Sequence, residues 1–256
     1  MSSSPALVLD IDGVVSLAQP GSAAPWYASL QADWGFDHEE MARDFFRRDF
    51  MEVLRGRLDL HVALHGWLET KGMADRLEEF VAYWFAKDAV IDREVLALAD
   101  AWRQRTGGRC FTASNQEHHR IAYLRDQAGL GPHFDEIIYS AGLGVCKPDR
   151  VFFTNAQARM GVTAAQSILF VDDAAANVDG ARACGWRAML YRGPFPQEFY
   201  RVLHGRVHYE FRMRRAIAKL DWTKIIYLPY YLAGLFVSEL RLRRQLFAAR
   251  QMVIHG

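Results

Sequence analysis

Ala6-Leu7-Val8-Leu9-Asp10-Ile11-Asp12-Gly13-Val14-Val15 joins an apolar run to two carboxylates and a glycine. The run Ala6 to Leu9 is too short for a membrane span and suits a strand buried on both faces. In extended backbone Asp10 and Asp12 share a face, and Gly13 lets the chain turn sharply beside a ligand. Two carboxylates that close repel each other unless a cation lies between them. A hard divalent ion with oxygen ligands is the simplest neutraliser, and Mg²⁺ is commonly held by one or two carboxylates together with a substrate phosphate. The same short string also occurs in plain turns, where Asp and Gly are common, so the rest of the chain must decide.

Over the full 256 residues, 31 basic and 30 acidic residues nearly cancel, which gives no global signature of a nucleic-acid binder. The distribution is uneven: residues 201–256 carry 11 Lys and Arg against 3 Asp and Glu, a net of +8, which leaves 20 against 27, or −7, for residues 1–200. Cys110, Cys146 and Cys184 are widely spaced, form no metal-like pair and suit a reducing compartment. Met1 to Pro5 carries no positive side chain and runs straight into the first strand, unlike a secretory signal, so a cytoplasmic protein is the expectation.

Beyond a loop marked by Pro20, Gly21 and Pro25, apolar residues recur at helical spacing. Phe45, Phe46, Phe50, Val53 and Leu54 form one set, Leu60, Leu64, Trp67 and Leu68 a second, and Leu77, Phe80, Val81, Trp84 and Phe85 a third. This predicts an all-helical insert of roughly 70 residues, the size of a small bundle. His61 and His65 lie four apart on one helix and lack a third ligand, so they read as structural. From Asp92 onward helices and strands alternate, as in a parallel α/β sheet. The spacing predicts strands over Arg109 to Ala113, Glu136 to Ser140, Ser167 to Val171 and Arg187 to Tyr191, with Pro148 in the first turn of a helix that runs to Met160.

Polar residues fall just past the ends of these strands, where open parallel sheets bind ligands. Asp10, Ser114-Asn115 and Asp172-Asp173 all stand there, with Lys147 in the loop after the third strand. Singly, Ser114, Asn115 and Asp173 also read as helix caps and Lys147 as a solvated loop lysine. In company they read as a site.

Asp10-Ile11-Asp12-Gly13-Val14, Ser114-Asn115, Lys147-Pro148 and Asp172-Asp173-Ala174-Ala175-Ala176-Asn177 resemble, in order and spacing, the four motifs of the haloacid dehalogenase superfamily, in its phosphatase branch. The resemblance implies a Rossmann-like parallel sheet flanked by helices, with an all-helical cap domain, to which this chain adds a C-terminal extension. The catalytic core would comprise 1–15 and 91–200, the cap 16–90 and a basic, aromatic extension 201–256. It implies that Asp10 is the nucleophile, that Asp12 is general acid and base, and that Ser114, the amide of Asn115 and Lys147 hold the phosphoryl group. Mg²⁺ would contact the Asp10 carboxylate, the Asp12 carbonyl and Asp173, with Asp172 nearby. The substrate class implied is a small phosphorylated metabolite such as a sugar phosphate, chosen by the cap, where Arg47, Arg48 and Arg57 are candidate contacts or merely solvated. Sugar phosphomutases share these residues, whereas the metal-free haloacid dehalogenases lack the second aspartate.

Residues 201–256 lie outside the resemblance. Ile225 to Val237 is a 13-residue apolar run between basic clusters, short of the ~20 residues needed to span a bilayer. Packing on protein, within a monomer or homodimer, is the expectation, and peripheral contact with an anionic membrane is the alternative.

Overall fold

The computed structural model describes residues 5–16 and 25–193. The expectations for residues 201–256 therefore lie outside the described residues. Five strands form one parallel sheet: β1 (Ala6–Leu9), β2 (Arg109–Ser114), β3 (Glu136–Tyr139), β4 (Ile168–Asp172) and β5 (Arg187–Leu190), in the order β3-β2-β1-β4-β5. β1 is central, and all four of its residues are buried, as a strand covered on both faces requires. Register fixes the chemistry: Leu9 is level with Thr112 on one side and Val171 on the other. The next residue, Asp10, donates its amide to the Val171 carbonyl at 2.9 Å and so arrives beside Asp172.

Between β1 and β2 lie α1 (Leu30–Trp34), α2 (His38–Met41) running into a π-helical turn at Ala42–Phe46, α3 (Phe50–Leu54), α4 (Leu60–Glu69), α5 (Leu77–Asp88) and then α6 (Arg93–Thr106). The helices from α1 to α5 enclose a core of their own, with Leu30, Met41, Phe45, Leu64 and Phe80 fully buried. Each such side chain contributes about 1.5–3 kcal/mol relative to exposure. The two ends of this insert are tied side by side. Ser16 Oγ donates to the Asp88 carbonyl at 3.1 Å, and Asp92 donates its amide to the Val15 carbonyl at 2.8 Å.

The remaining helices are α7 (His118–Asp126), α8 (Ser140–Leu143), α9 (Arg150–Met160) and α10 (Ala175–Ala183). A second core of Phe152, Phe153, Phe170 and Trp186 seals one face of the sheet. Three local expectations are corrected. Ser140 leaves β3 to open α8, where its hydroxyl exchanges hydrogen bonds with the Gln116 backbone at 3.0 and 3.1 Å. Pro148 precedes α9 instead of starting it; Asp149 is the cap, accepting the Val151 amide at 2.8 Å. The Lys147–Pro148 peptide bond is cis. Neither Ser114 nor Asn115 caps α7, since the Glu117 carboxylate accepts the amides of His119 and Arg120. Among the described residues no helix is long and apolar enough to cross a membrane.

Candidate active site

Three strand ends, those of β1, β2 and β4, and the loop after α8 converge on one buried charge cluster. Asp10 Oδ1 accepts the Ile11 amide at 2.7 Å, and the Lys147 ammonium stands 3.0 Å from the same oxygen. That ammonium also donates to Asp172 Oδ2 at 2.6 Å and lies 5.3 Å over the Phe170 ring. It is thus almost entirely buried, and the bland reading of Lys147 as a loop residue fails. One cation serves two carboxylates. Burial raises the Asp10 carboxyl to about 7 from 3.8, opposed by the attraction of Lys147 and reinforced by the negative Asp172, while a Ser114 hydrogen bond pulls it down.

Asp172 is fully engaged. Besides Lys147, it accepts the Ala174 amide at 2.8 Å and the Asn177 side-chain amide at 3.1 and 3.0 Å. Asp173 points to the solvent side, and burial together with the charge of Asp172 holds its carboxyl above the usual range. It does not cap α10, whose first turn is fastened by Asp172 instead. Oxygens of Asp10, Asp172 and Asp173 lie within 4.8 Å of one another. An all-oxygen donor set with surplus negative charge and raised carboxyl pKa values fits a hard divalent cation such as Mg²⁺. Because the Asp172 oxygens are already taken by donors, Asp10 and Asp173 are the better placed of the three to receive it.

Glycine is required beside them. Gly13 has φ +77°, and a Cβ built there would stand 2.1 Å from Asp173 Oδ2. Asn115 acts through its side chain as scaffolding: its amide donates to the Lys147 carbonyl at 3.0 Å and its oxygen accepts the Lys147 amide at 2.8 Å. The loop carrying the buried lysine is thereby pinned to the end of β2.

Asp12 turns away from this cluster. Its carboxylate accepts two hydrogen bonds from the Arg120 guanidinium, both at 2.9 Å, and a third from Gln116 Nε2 at 2.5 Å. Arg120 also pairs with Asp88, at the end of the insert, at 3.1 Å. Gln116, Arg120 and Asp88 escaped the reading of the sequence. The available signal was Arg120 itself, which shares a helix face with Leu124 four residues on, an odd place for a cation.

Over Asp12 opens a cavity of about 190 Å³ between the insert and the strand ends. Arg47, Arg48 and Arg57 do not line it; they are exposed and paired with Glu39, Asp49 and Glu52. His61 stacks on His119 at 3.9 Å between ring centroids and approaches Glu78 at 3.3 Å, as a structural histidine does.

A parallel α/β sheet with an acidic, lysine-bridged centre at the carboxyl end of its middle strand defines the broad class. The chain belongs to the haloacid dehalogenase-like hydrolase family, whose model matches residues 5–185. It is 25% identical over 204 residues, 73% of this chain and 84% of the relative, to a ribulose-1,5-bisphosphate 5-phosphatase of Halopiger xanaduensis. It is 35% identical over 77 residues to the human phospholysine phosphohistidine inorganic pyrophosphate phosphatase, but that match covers only 27% of this chain and 28% of the human protein. A magnesium complex of a HAD family enzyme from Bacteroides thetaiotaomicron shares the fold, with a TM-score of 0.63 and 17% identity across 78% of this chain and all of that one.

Proposed function

We propose that the protein is a Mg²⁺-dependent phosphatase acting on a small phosphate monoester through an aspartyl phosphate on Asp10. The observation that carries this reading is the buried Lys147 ammonium bridging Asp10 and Asp172, with Asp173 close by. That cation opposes the burial that raises the Asp10 carboxyl, and a bound Mg²⁺ would favour the ionised, attacking form further. The names of the phosphatase relatives support the chemistry.

In the first half-reaction an Asp10 oxygen bonds to phosphorus as the ester P–O bond breaks, and the departing alkoxide takes a proton from Asp12. In the second, Asp12 takes a proton from water, whose oxygen attacks phosphorus and expels the Asp10 carboxylate, releasing inorganic phosphate. Ser114, the Asn115 amide and Lys147 hold the phosphoryl oxygens. Asp10, Asp173 and the Asp12 carbonyl would hold Mg²⁺, with Asp172 orienting Lys147. When bound, the ion supplies positive charge for the phosphoryl oxygens. The helical insert serves as the cap over this site, shielding the phosphorylated aspartate from bulk water.

Hydrolysis of p-nitrophenyl phosphate by the purified full chain, with Mg²⁺ and with EDTA, tests the proposal. Turnover that depends on Mg²⁺ and disappears in Asp10→Asn is the expected result. Full activity in chelator, or in the variant, overturns it.

A further inference from the structure

The cavity over Asp12 differs in character from the charge cluster beside it. Its insert wall is built from Trp26, Phe46, Phe50, Leu54, Trp84 and Phe85. The rings brace one another: Trp26 and Trp84 stack at 5.4 Å, Phe46 meets Trp84 edge-on at 5.6 Å, and Phe46 meets Phe50 edge-on at 5.0 Å. A wall held this way is formed before any ligand arrives. Among the described lining residues, the side chains of that wall with hydrogen-bonding groups are Trp26, Trp84 and, at its edge, Asp88, and the Trp84 N–H is itself fully buried.

The floor is polar, but most of its side-chain groups are committed to one another, with Arg120 Nε buried and unpartnered. Gln116 and Arg120 are spent on Asp12, Arg120 also on Asp88, the Asn115 side chain on the Lys147 backbone, and the Glu117 carboxylate on the amides of His119 and Arg120. Asp12 and Asn115 line the cavity while Asp10 and Lys147 do not, so it adjoins the proposed proton donor and stands apart from the proposed nucleophile.

We propose that the site prefers phosphate monoesters of apolar, ring-bearing alcohols over those of polyols such as sugars, the ring occupying this cavity. The inference rests on the phosphatase reading above. Size agrees: an apolar cavity of about 150 Å³ holds a benzene ring, and this one measures about 190 Å³. Chemistry agrees as well. Hydroxyls of a polyol buried against this wall would lose water without gaining partners, at a cost of roughly tenfold in binding each, whereas a ring exchanges water for aromatic contact.

The test compares kcat/KM of the full chain with Mg²⁺ on benzyl phosphate, ribose 5-phosphate and glycerol 3-phosphate, all esters of primary alcohols. Benzyl phosphate should be favoured by roughly tenfold or more. Phe50→Ala should narrow that ratio towards one, and Phe46→Leu, which keeps apolar volume, should narrow it less. A polyol ester turned over as well as the benzyl ester overturns the inference while leaving the phosphatase reading intact. Absence of turnover on every ester, p-nitrophenyl phosphate included, overturns the phosphatase reading instead. The cavity is then judged by calorimetry: benzylphosphonate should bind roughly tenfold or more tighter than methylphosphonate, and equal affinity sinks the inference.

Discussion

Arg120 grips the Asp12 carboxylate with both terminal nitrogens of its guanidinium, two parallel hydrogen bonds of 2.9 Å, and one of the two, Nη2, also meets Asp88 at 3.1 Å. The fork fixes the rotamer of the proposed acid and base, and it links that residue to the point where the helical insert rejoins the sheet. A lysine keeps the charge but cannot make the fork. Arg120→Lys is therefore expected to lower kcat by about tenfold to a hundredfold on alkyl esters with little change in KM, because Asp12 is misplaced in the transition state more than substrate binding is weakened. A change confined to KM would count against a positioning role.

Asp10 is expected to separate stability from activity. Its folded carboxyl titrates near 7 instead of 3.8, so between those values the folded chain binds more protons than the unfolded one. Stability contributed by this group therefore falls as pH rises from about 4 to about 7. Asp10→Asn should abolish phosphatase turnover, yet in EDTA at pH 8 it should melt no lower than wild type, and the gap should shrink at pH 5. A variant that melts well below wild type at pH 8 would show the ionised carboxylate to be stabilising after all.

The sheet and most of the charge cluster at its edge were legible because the three residues that anchor it stand at the ends of apolar strands. Asp10 directly follows β1, Ser114 is the last residue of β2 and Asp172 the last of β4, so the strand pattern located them without any contact information. What the sequence hid are partners supplied by distant elements. Gln116 and Arg120 reach Asp12 across 104 and 108 residues, and Asn115 looks like a cap until the fold sets its side chain against the Lys147 backbone. The insert was legible as helical, but its division into short pieces was not, since apolar spacing reports faces and leaves breaks such as Gly35 and Gly56 ambiguous.

Gly13 offers a way to disturb metal binding without touching a ligand. Adding a methyl group there forces the Asp173 side chain aside, because Cβ would stand 2.1 Å from Oδ2 and 2.5 Å from Cγ. The positive φ adds backbone strain of about 1 kcal/mol. Wild-type turnover should vanish in EDTA and return with Mg²⁺, and Gly13→Ala should need roughly tenfold more Mg²⁺ for half-maximal activity. An unchanged Mg²⁺ requirement would remove Asp173 from the proposed ligand set.

Asp12→Asn should cost both stability and chemistry, for separable reasons. The carboxylate accepts three hydrogen bonds from Arg120 and Gln116. An amide at that position must turn its own N–H₂ towards one of those donors, leaving Arg120 short of a counter-charge, and a loss of about 1–3 kcal/mol is expected. The amide also cannot protonate a leaving group. The loss of kcat should thus be larger on benzyl phosphate, whose alkoxide needs a proton, than on p-nitrophenyl phosphate, whose phenolate leaves readily without one. The comparison is made in single-turnover experiments, so that slow breakdown of the phosphorylated Asp10 does not mask the first step. Equal fractional losses on the two esters would take the leaving-group proton away from Asp12 and leave it only the activation of water.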